Sequence, residues 1–412
     1  MATRFFRFGR DGVALALAIP LFIVLAGCAP ARHYEAALLL QDFAAGAADS
    51  RLKRTTAMPL RQALVYTVAG RAHQADLYLP GTLEGCIVPS PAPASGRAKR
   101  CPRAAIVAVP GAVPLGKDDP RLVAFATTLA RAGFAVLAPD LRGFRELRIR
   151  PADAREIADA FAYVVRRPEL APEGRAGMFA FSYSVGPALL AALQDDIRDQ
   201  VRFVVGVGGY YDLPRAMRFF TTGWFEQGGT WQRITPDDTG RMVLVYSSLD
   251  YLADGADRAV FDRMVEERTR DPRADLSPLA AALSTGARAV YALAVNDDPA
   301  RFAELYARLP RPMRADLDRL NLARHDLGPL KARLILVHGR NDNLIPWPES
   351  LALAAAVSEG QARVFLIRRV LGHVDLSVSD LLSWRFWGED LPDLWRLWRV
   401  IDLLLAEREA GA

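Results

Sequence analysis

The chain has 412 residues, of which 51% are apolar and 24% are charged, so it can build one large domain or two medium ones. A core of that size folds without a metal or a disulfide framework. The formal net charge of +5 comes from scattered arginines, and no basic run is interleaved with aromatic residues. This composition argues against a nucleic-acid partner.

The first residues have the pattern of an export signal. Three arginines precede an apolar stretch at residues 13–26, which closes with the tetrapeptide LAGC at residues 25–28. A basic start, a short apolar run and small residues before a cleavage point are typical of such signals. The apolar run is also shorter than the ~20 residues that a membrane-spanning helix needs.

The tetrapeptide LAGC resembles the lipobox of bacterial lipoproteins. The resemblance implies cleavage before Cys28 and lipidation of its sulfur, and hence a protein held in the bacterial cell envelope by a lipid anchor. Ala29 follows the cysteine, which by the same resemblance favours the outer membrane, facing the periplasm. The alternative is a simple N-terminal membrane anchor with an incidental cysteine.

The two other cysteines, Cys86 and Cys101, bound a loop rich in proline, serine and glycine. In an oxidising compartment they are expected to form a disulfide. Closing this loop would stabilise the fold by roughly 3 kcal/mol. The alternative is a pair of free thiols.

Residues 28–60 are predicted to be a tether and a mostly helical lead-in, and residues 62–79 an antiparallel hairpin at a sheet edge. Strands are then predicted at 104–109, 134–138, 176–181, 201–207, 333–337 and 363–367, and helices at 122–132, 152–165, 185–193, 348–357 and 391–407. Continuous apolar strands separated by helices indicate an α/β fold. They predict a mostly parallel central sheet with helices on both faces.

One segment, residues 211–330, interrupts this alternation. Helix-like stretches occur at 241–252, 258–268, 279–283 and 299–309, with no strong strand between them. The segment is therefore predicted to be a helical insertion. The resulting division is 1–27 signal peptide, 28–60 tether and lead-in, 61–210 first part of the core, 211–330 insertion and 331–412 second part of the core.

A serine lies between the predicted strand 176–181 and the helix that follows it. The sequence AFSYSVG places Ser182 at the strand-to-helix turn of a nucleophile elbow, usually written G-x-S-x-G. Ala180 and Ser184 replace the two glycines and are still small. A second register would make Ser184 the nucleophile, and a third interpretation is that either serine only caps the helix.

An aspartate and a histidine follow the last two predicted strands, in the chain order that such a serine requires. Asp342 lies in the sequence GRNDNLIP and His373 in the sequence LGHVD. Asp212, after strand 201–207, is the alternative acid. His338 ends a strand and is interpreted as structural. None of the histidines has the spacing of a zinc motif.

These residue types suit nucleophilic catalysis. A serine hydroxyl is a weak nucleophile until a base takes its proton. His373 would be that base, and Asp342 would orient the imidazole and stabilise its cationic form. The N–H of Tyr183, the residue after the nucleophile, would donate a hydrogen bond to the oxyanion.

Several segments together resemble an α/β-hydrolase of the esterase and dienelactone-hydrolase type: APDLRGF, AFSYSVGPALL, GYYDLPRAMRFFTTG, HGRNDNLIPWPES and LGHVDL. The resemblance covers roughly residues 60–408. It implies the α/β-hydrolase fold with a cap made by the insertion, and hydrolysis without a cofactor. It also implies a second oxyanion donor, the N–H of Ala112, in a loop where Pro110 replaces the family's histidine.

The leading hypothesis is a serine hydrolase that cleaves a small-molecule carboxylic ester or lactone through an acyl-enzyme intermediate. One alternative is a peptidase or amidase that uses the same triad. The other is a non-catalytic envelope lipoprotein that keeps the fold as a binding module. The sequence does not specify the substrate or the oligomeric state.

Overall fold

The structure, a computed structural model, describes residues 30–81, 102–252, 255–271, 273–372 and 385–410. The predicted signal peptide, His373 and all three cysteines (Cys28, Cys86 and Cys101) lie outside the described residues. The strands are β1 Leu60–Val68, β2 Arg71–Leu79, β3 Ala104–Val109, β4 Phe134–Pro139, β5 Ala176–Phe181, β6 Val201–Val207, β7 Trp224–Gln227, β8 Thr230–Arg233, β9 Arg333–Gly339 and β10 Ala362–Ile367.

Eight of these strands form one sheet in the order β1-β2-β4-β3-β5-β6-β9-β10. The β1–β2 and β2–β4 pairs are antiparallel, and every later neighbour in the sheet is parallel. Strands β4, β3, β5, β6, β9 and β10 therefore all end at one edge of the sheet, called the carboxyl edge below. In open parallel sheets, ligands bind at this edge.

The predicted hairpin at residues 62–79 is confirmed as β1 and β2, with β1 at the edge of the sheet. The two strands are joined by Ala69 and Gly70, whose φ angles are +48° and +77°. Two consecutive left-handed residues are what a two-residue turn needs to match the twist of its strands.

The helices are α1 Pro30–Ala45, α2 Arg51–Thr55, α3 Pro120–Arg131, α4 Arg142–Arg145, α5 Ala152–Val165, α6 Val185–Ala192, α7 Leu213–Thr222, α8 Thr239–Ser248, α9 Ala256–Arg270, α10 Ser277–Ala281, α11 Thr285–Ala294, α12 Phe302–Ala307, α13 Arg311–Leu320, α14 Pro348–Ala355 and α15 Leu391–Glu409. None of these described helices combines the length and the hydrophobicity that a bilayer span requires.

Successive strand residues point to opposite faces of the sheet, and each face has its own apolar core. In β3, Val107 belongs to the core under α5, α6 and α14, whereas Ile106 belongs to the core under α1, α3 and α15. Both residues are fully buried. Burial on both faces explains why the parallel strands are apolar runs rather than alternating ones, and it confirms the predicted α/β class.

The insertion differs from the sequence expectation in one respect. Strands β7 and β8 form an antiparallel hairpin within a segment predicted to contain only helices. All four residues of β8 are exposed, so the hairpin lacks the apolar alternation that normally reveals a strand. Phe225 of β7 packs with Phe219 of α7 and with Trp347, which follows β9.

The lead-in is helical, as predicted, and it is docked on the core. Helix α1 packs against α15, where the indole N–H of Trp398 donates to the carbonyl of His33 at 3.0 Å. Arg408 of α15 is only 1% exposed in its side chain and pairs with Glu35 at 2.7 Å. The same guanidinium donates to the carbonyl of Ala132, two residues before β4 begins. This contact places α1 at the amino end of the parallel strands.

Candidate active site

Ser182 occupies a left-handed backbone conformation directly after β5. Its φ is +57°, and it shares a positive φ with only two other non-glycine residues in the described part of the chain. A side chain in this region is disfavoured by contact between Cβ and the backbone. Strain of this kind concentrates at functional sites, and a sharp strand-to-helix turn of this kind exposes a nucleophile at the top of its sheet.

Small residues let the turn close against the sheet. A Cβ atom on Gly186, in the first turn of α6, would lie 2.1 Å from the hydroxyl oxygen of Tyr210, which follows β6. Ala180, in the strand before the turn, is completely buried. The sequence predicted this requirement for small residues, although not the identity of the neighbour.

Ser184, the alternative nucleophile, has its hydroxyl committed to the turn itself. Its Oγ accepts from the N–H of Phe181 at 2.9 Å and donates to the carbonyl of Phe181 at 2.8 Å. The residue is fully buried, whereas Ser182 is partly exposed. The geometry therefore favours the register in which Ser182 is the reactive residue.

The side chain of Tyr183, the proposed oxyanion donor, is held by buried contacts. Its ring stacks on Tyr210 at a centroid distance of 6.0 Å and meets the ring of Phe144 edge-on. Its hydroxyl donates to Asp153 Oδ2 at 3.4 Å. Burial raises the pKa of Tyr183 well above its ordinary value and the pKa of Asp153 to about 7. No local pattern in the sequence indicates these contacts, because Asp153 lies 30 residues before Tyr183, on α5.

The predicted oxyanion loop lies beside the elbow. Strand β3 pairs with β5 up to Val109 opposite Ala180. A Cβ atom on Gly111 would lie 3.7 Å from the carbonyl oxygen of Phe181. The next residue, Ala112, is half-buried against the apolar core. The loop that carries Ala112 thus runs alongside the turn that carries Ser182.

Asp342 lies at the carboxyl end of β9 and is 1% exposed. Its Oδ1 accepts two backbone hydrogen bonds, from Leu344 N at 2.8 Å and from Ile345 N at 2.9 Å. Hydrogen bonds to a carboxylate favour its charged form and fix its plane. His338, interpreted from the sequence as structural, lies with its Nε2 at 3.3 Å from Asp342 Oδ2.

The chain that leads to His373 passes beside the start of the acid loop, the segment 340–345 that follows β9 and contains Asp342. A Cβ atom on Gly339 would lie 2.4 Å from the carbonyl oxygens of both Leu371 and Gly372. Only glycine permits so close an approach of two backbones. Gly372 is the last described residue before His373, so the sequence-predicted histidine is joined to a segment that touches the end of β9.

Asp212, the alternative acid, is a helix-capping residue in the structure. It caps the N-terminus of α7, where its Oδ1 accepts from Arg215 N at 3.1 Å. A carboxylate at this position satisfies an otherwise unpaired helix N–H. Among the described residues, no group of three histidine, cysteine, aspartate or glutamate side chains is placed to hold a metal ion.

A cleft of about 880 Å³ opens near the same edge of the sheet, beside the loops that follow β3 and β4. Pro114, Asp140, His73 and Asp159 are among its lining residues, and Ser182 is not. The buried carboxylate of Asp159 lies 2.9 Å from His73 Nε2.

No protein-family model matches the chain, and a search of curated proteins also found no match. The chain is similar to solved structures at low identity. A dienelactone hydrolase from Anabaena variabilis is 14% identical, with a TM-score of 0.40, over 85% of this chain and 98% of that one. A hypothetical protein from Pseudomonas aeruginosa is 16% identical, with a TM-score of 0.41, over 84% and 94%.

An acylaminoacyl peptidase from Pyrococcus horikoshii is 13% identical, with a TM-score of 0.41. The match covers 84% of this chain but only 41% of the peptidase. Independently of these likenesses, the chain has a mostly parallel eight-stranded sheet and a strained serine turn after β5. These two features confirm the predicted α/β-hydrolase fold class.

Proposed function

We propose that the protein is a serine hydrolase that cleaves a carboxylic ester or lactone through an acyl-enzyme intermediate. The observation that carries the proposal is the left-handed φ of +57° at Ser182, in the turn between β5 and α6. Holding a non-glycine residue there costs roughly 1–3 kcal/mol. A helix cap needs no such strain, whereas an exposed nucleophile does.

The position of Asp342 supports a triad. Strands β5, β6 and β9 are neighbours, so the backbones that carry Ser182 and Asp342 are separated by about 10 Å at a strand spacing of ~4.8 Å. That separation leaves room for one imidazole between the two side chains. The contact of Gly339 with Gly372 supports His373 as the residue that supplies it.

The proposed reaction follows from these roles. His373 takes the proton of Ser182 as its oxygen attacks the substrate carbonyl carbon, and Asp342 stabilises the imidazolium. The oxyanion accepts hydrogen bonds from the N–H groups of Tyr183 and Ala112, each worth roughly 10²–10³ in rate. His373 then protonates the leaving alkoxide, and a water molecule activated by the same base releases the acid.

A fluorophosphonate tests the proposal directly. Residues 29–412, expressed with a soluble export signal, should take up one label that maps to Ser182 by mass spectrometry. Protein that has been denatured by heat before the reagent is added should take up no label, and neither should Ser182→Ala. In Ser184→Ala the label should still map to Ser182. Label on Ser184 would instead assign the second register. An unlabelled but folded protein would favour the binding-module alternative.

A substrate panel separates the two hydrolase hypotheses. Matched p-nitrophenyl esters, lactones and p-nitroanilides presented to the same protein should show faster turnover of the esters or lactones. Preferential cleavage of the anilides would identify an amidase or peptidase with the same residues.

We further propose that the protein is exported and held in the cell envelope by a lipid on Cys28. Support comes from the basic start, the short apolar run and the LAGC tetrapeptide at residues 25–28. For Cys86 and Cys101 we propose a disulfide, supported by their placement at the two ends of one loop in an exported chain. Thiol titration of the unfolded, unreduced protein would detect two free thiols if this pairing is wrong.

A further inference from the structure

His338 is completely buried at the end of β9, and both of its ring nitrogens have partners. Nδ1 lies 2.7 Å from Ser350 Oγ and Nε2 lies 2.9 Å from the carbonyl oxygen of Ile345. The ring therefore connects the acid loop, which contains Ile345, with the helix α14, which contains Ser350.

The partners of His338 determine where its proton lies. A carbonyl oxygen can only accept a hydrogen bond, so Nε2 carries the hydrogen. A serine hydroxyl can donate, so it satisfies Nδ1 when that nitrogen is unprotonated. The neutral imidazole protonated on Nε2 thus forms both bonds.

The hydrogen on Nε2 is donated to the carbonyl oxygen of Ile345, and Nε2 itself lies 3.3 Å from Asp342 Oδ2. The backbone N–H of the same Ile345, with that of Leu344, donates to Asp342 Oδ1. His338 therefore holds the loop residue that holds the carboxylate, in a site where Asp342 is 1% exposed.

We propose that His338 is a positioning residue for Asp342. Its Nε2–H holds the carbonyl of Ile345, whose own N–H fixes Asp342 Oδ1, so that Oδ2 is kept for the catalytic base. The inference rests on the proposed hydrolase function. It assigns to His338 a role in the rate of the chemical step, beyond the structural role expected from the sequence. Residues that orient a reacting group affect rate without touching the substrate.

Two substitutions of similar size separate this role from packing. His338→Gln can place an amide N–H near the position of Nε2 and keep the hydrogen bond to the carbonyl of Ile345. His338→Asn reaches only as far as Nδ1, so it keeps a partner for Ser350 but loses the donor. The readouts are the maximal rate of fluorophosphonate labelling at Ser182 and the concentration of reagent at half-saturation.

We expect His338→Asn to lower the maximal labelling rate by about 10- to 100-fold with the half-saturating concentration unchanged. His338→Gln should recover most of that loss. The control is Leu353→Ala, a buried position on α14 that belongs to the apolar core. It should lower the melting temperature without lowering the maximal labelling rate. If His338→Asn does not fold, His338→Met, which has no donor, takes its place in the comparison.

Equal labelling rates for the wild type and the variant without a donor would overturn the inference. So would equal losses in His338→Gln and His338→Asn that follow their melting temperatures, since that result indicates packing alone. A wild-type protein that takes no label refutes the proposed hydrolase function instead, so the two failures are distinguishable.

Discussion

Tyr183 contributes to the proposed site through its backbone, while its side chain is locked in the core. The phenol contacts Asp153, a fully buried carboxyl of α5 that also accepts from Arg150 N at 2.8 Å. Burial raises the pKa of Asp153 to about 7, whereas an aspartate in the unfolded chain titrates near 3.9. A residue behind the oxyanion donor is therefore also a source of pH-dependent stability.

The sign of this dependence follows from the direction of the shift. Between about pH 4 and pH 7 the folded protein holds a proton on Asp153 that the unfolded chain has lost. The contribution of this group to stability is full below about pH 4 and is lost as the pH rises to about 7. Glu349 and Glu407 act in the same direction, because burial raises the pKa of each.

Asp153→Asn should flatten this part of the stability curve. The change in the free energy of unfolding between pH 5 and pH 8 should be smaller in this variant than in the wild type, by on the order of 2 kcal/mol. Urea unfolding at several pH values measures it. The exposed position Asp49 provides the control, since Asp49→Asn should follow the wild-type slope. Parallel curves for Asp153→Asn and the wild type would show that Asp153 does not titrate in this range.

At the scale of the elements, the packing of α1 on α15 includes a buried ion pair. Arg408 has 1% side-chain exposure and Glu35 has 25%. Removing one partner of such a pair leaves a charge that water cannot reach, which is the costly case for a buried salt bridge. After the loss of Glu35, the guanidinium keeps the carbonyl of Ala132 and the more distant, partly exposed carboxylate of Glu409 at 3.5 Å.

Glu35→Gln should therefore lower the free energy of unfolding by about 3 kcal/mol, measured by urea unfolding at pH 7. Glu304→Gln provides the comparison. Glu304 pairs with Arg308 four residues away, and both side chains are about 60% exposed. Its removal should cost less than about 0.5 kcal/mol. Equal effects at the two positions would mean that Arg408 is solvated.

Local patterns in the sequence were sufficient to predict the sheet. The strands at 104–109, 176–181 and 201–207 have the predicted boundaries, because each is a short, mostly apolar run between polar or turn residues. The hairpin β7–β8 was missed because its second strand is entirely exposed. The sequence did contain one signal for it, the pair Gly228-Gly229 between two short runs, which is typical of a two-residue turn.

The candidate site was predictable to the same extent. Ser182 and Asp342 follow strand ends that the sequence identifies, and chain order linked them. The contact between Tyr183 and Asp153 depends on how α5 lies on the sheet, and that packing leaves no local pattern. The contact of His338 with Asp342 joins the end of β9 to the loop that follows it, where four residues of separation imply no shared face.

At the scale of the whole molecule, Glu35 of α1 and the proposed nucleophile lie at opposite edges of the sheet. Glu35, in the second turn of α1, lies near the amino end of β4 through its contact with Arg408. Ser182 follows the carboxyl end of β5. Six residues of strand separate the two edges by about 20 Å. If the proposed lipid is attached at Cys28, two residues before α1 begins, we expect the carboxyl edge to stay open to the aqueous phase.

Membrane attachment and catalysis should then be separable. In the full chain, Cys28→Ala should move the protein from the membrane fraction to the soluble fraction, because one alkylated cysteine supplies the proposed anchor. The rate of fluorophosphonate labelling at Ser182 should not change. Retention of the variant in the membrane fraction would support the alternative, a simple N-terminal membrane anchor.

The docking of α1 on α15 has a consequence for how the chain folds. His33 and Trp398 are 365 residues apart in sequence, so their contact closes nearly the whole chain into a loop. We expect contacts of such long range to form late, because the entropy cost of closing the loop comes before burial of the contact stabilises it. Until α15 is in place, the apolar face of α1 that contains Leu39 lacks the part of its cover that α15 supplies. A chain that has not yet delivered α15 should present this face to chaperones.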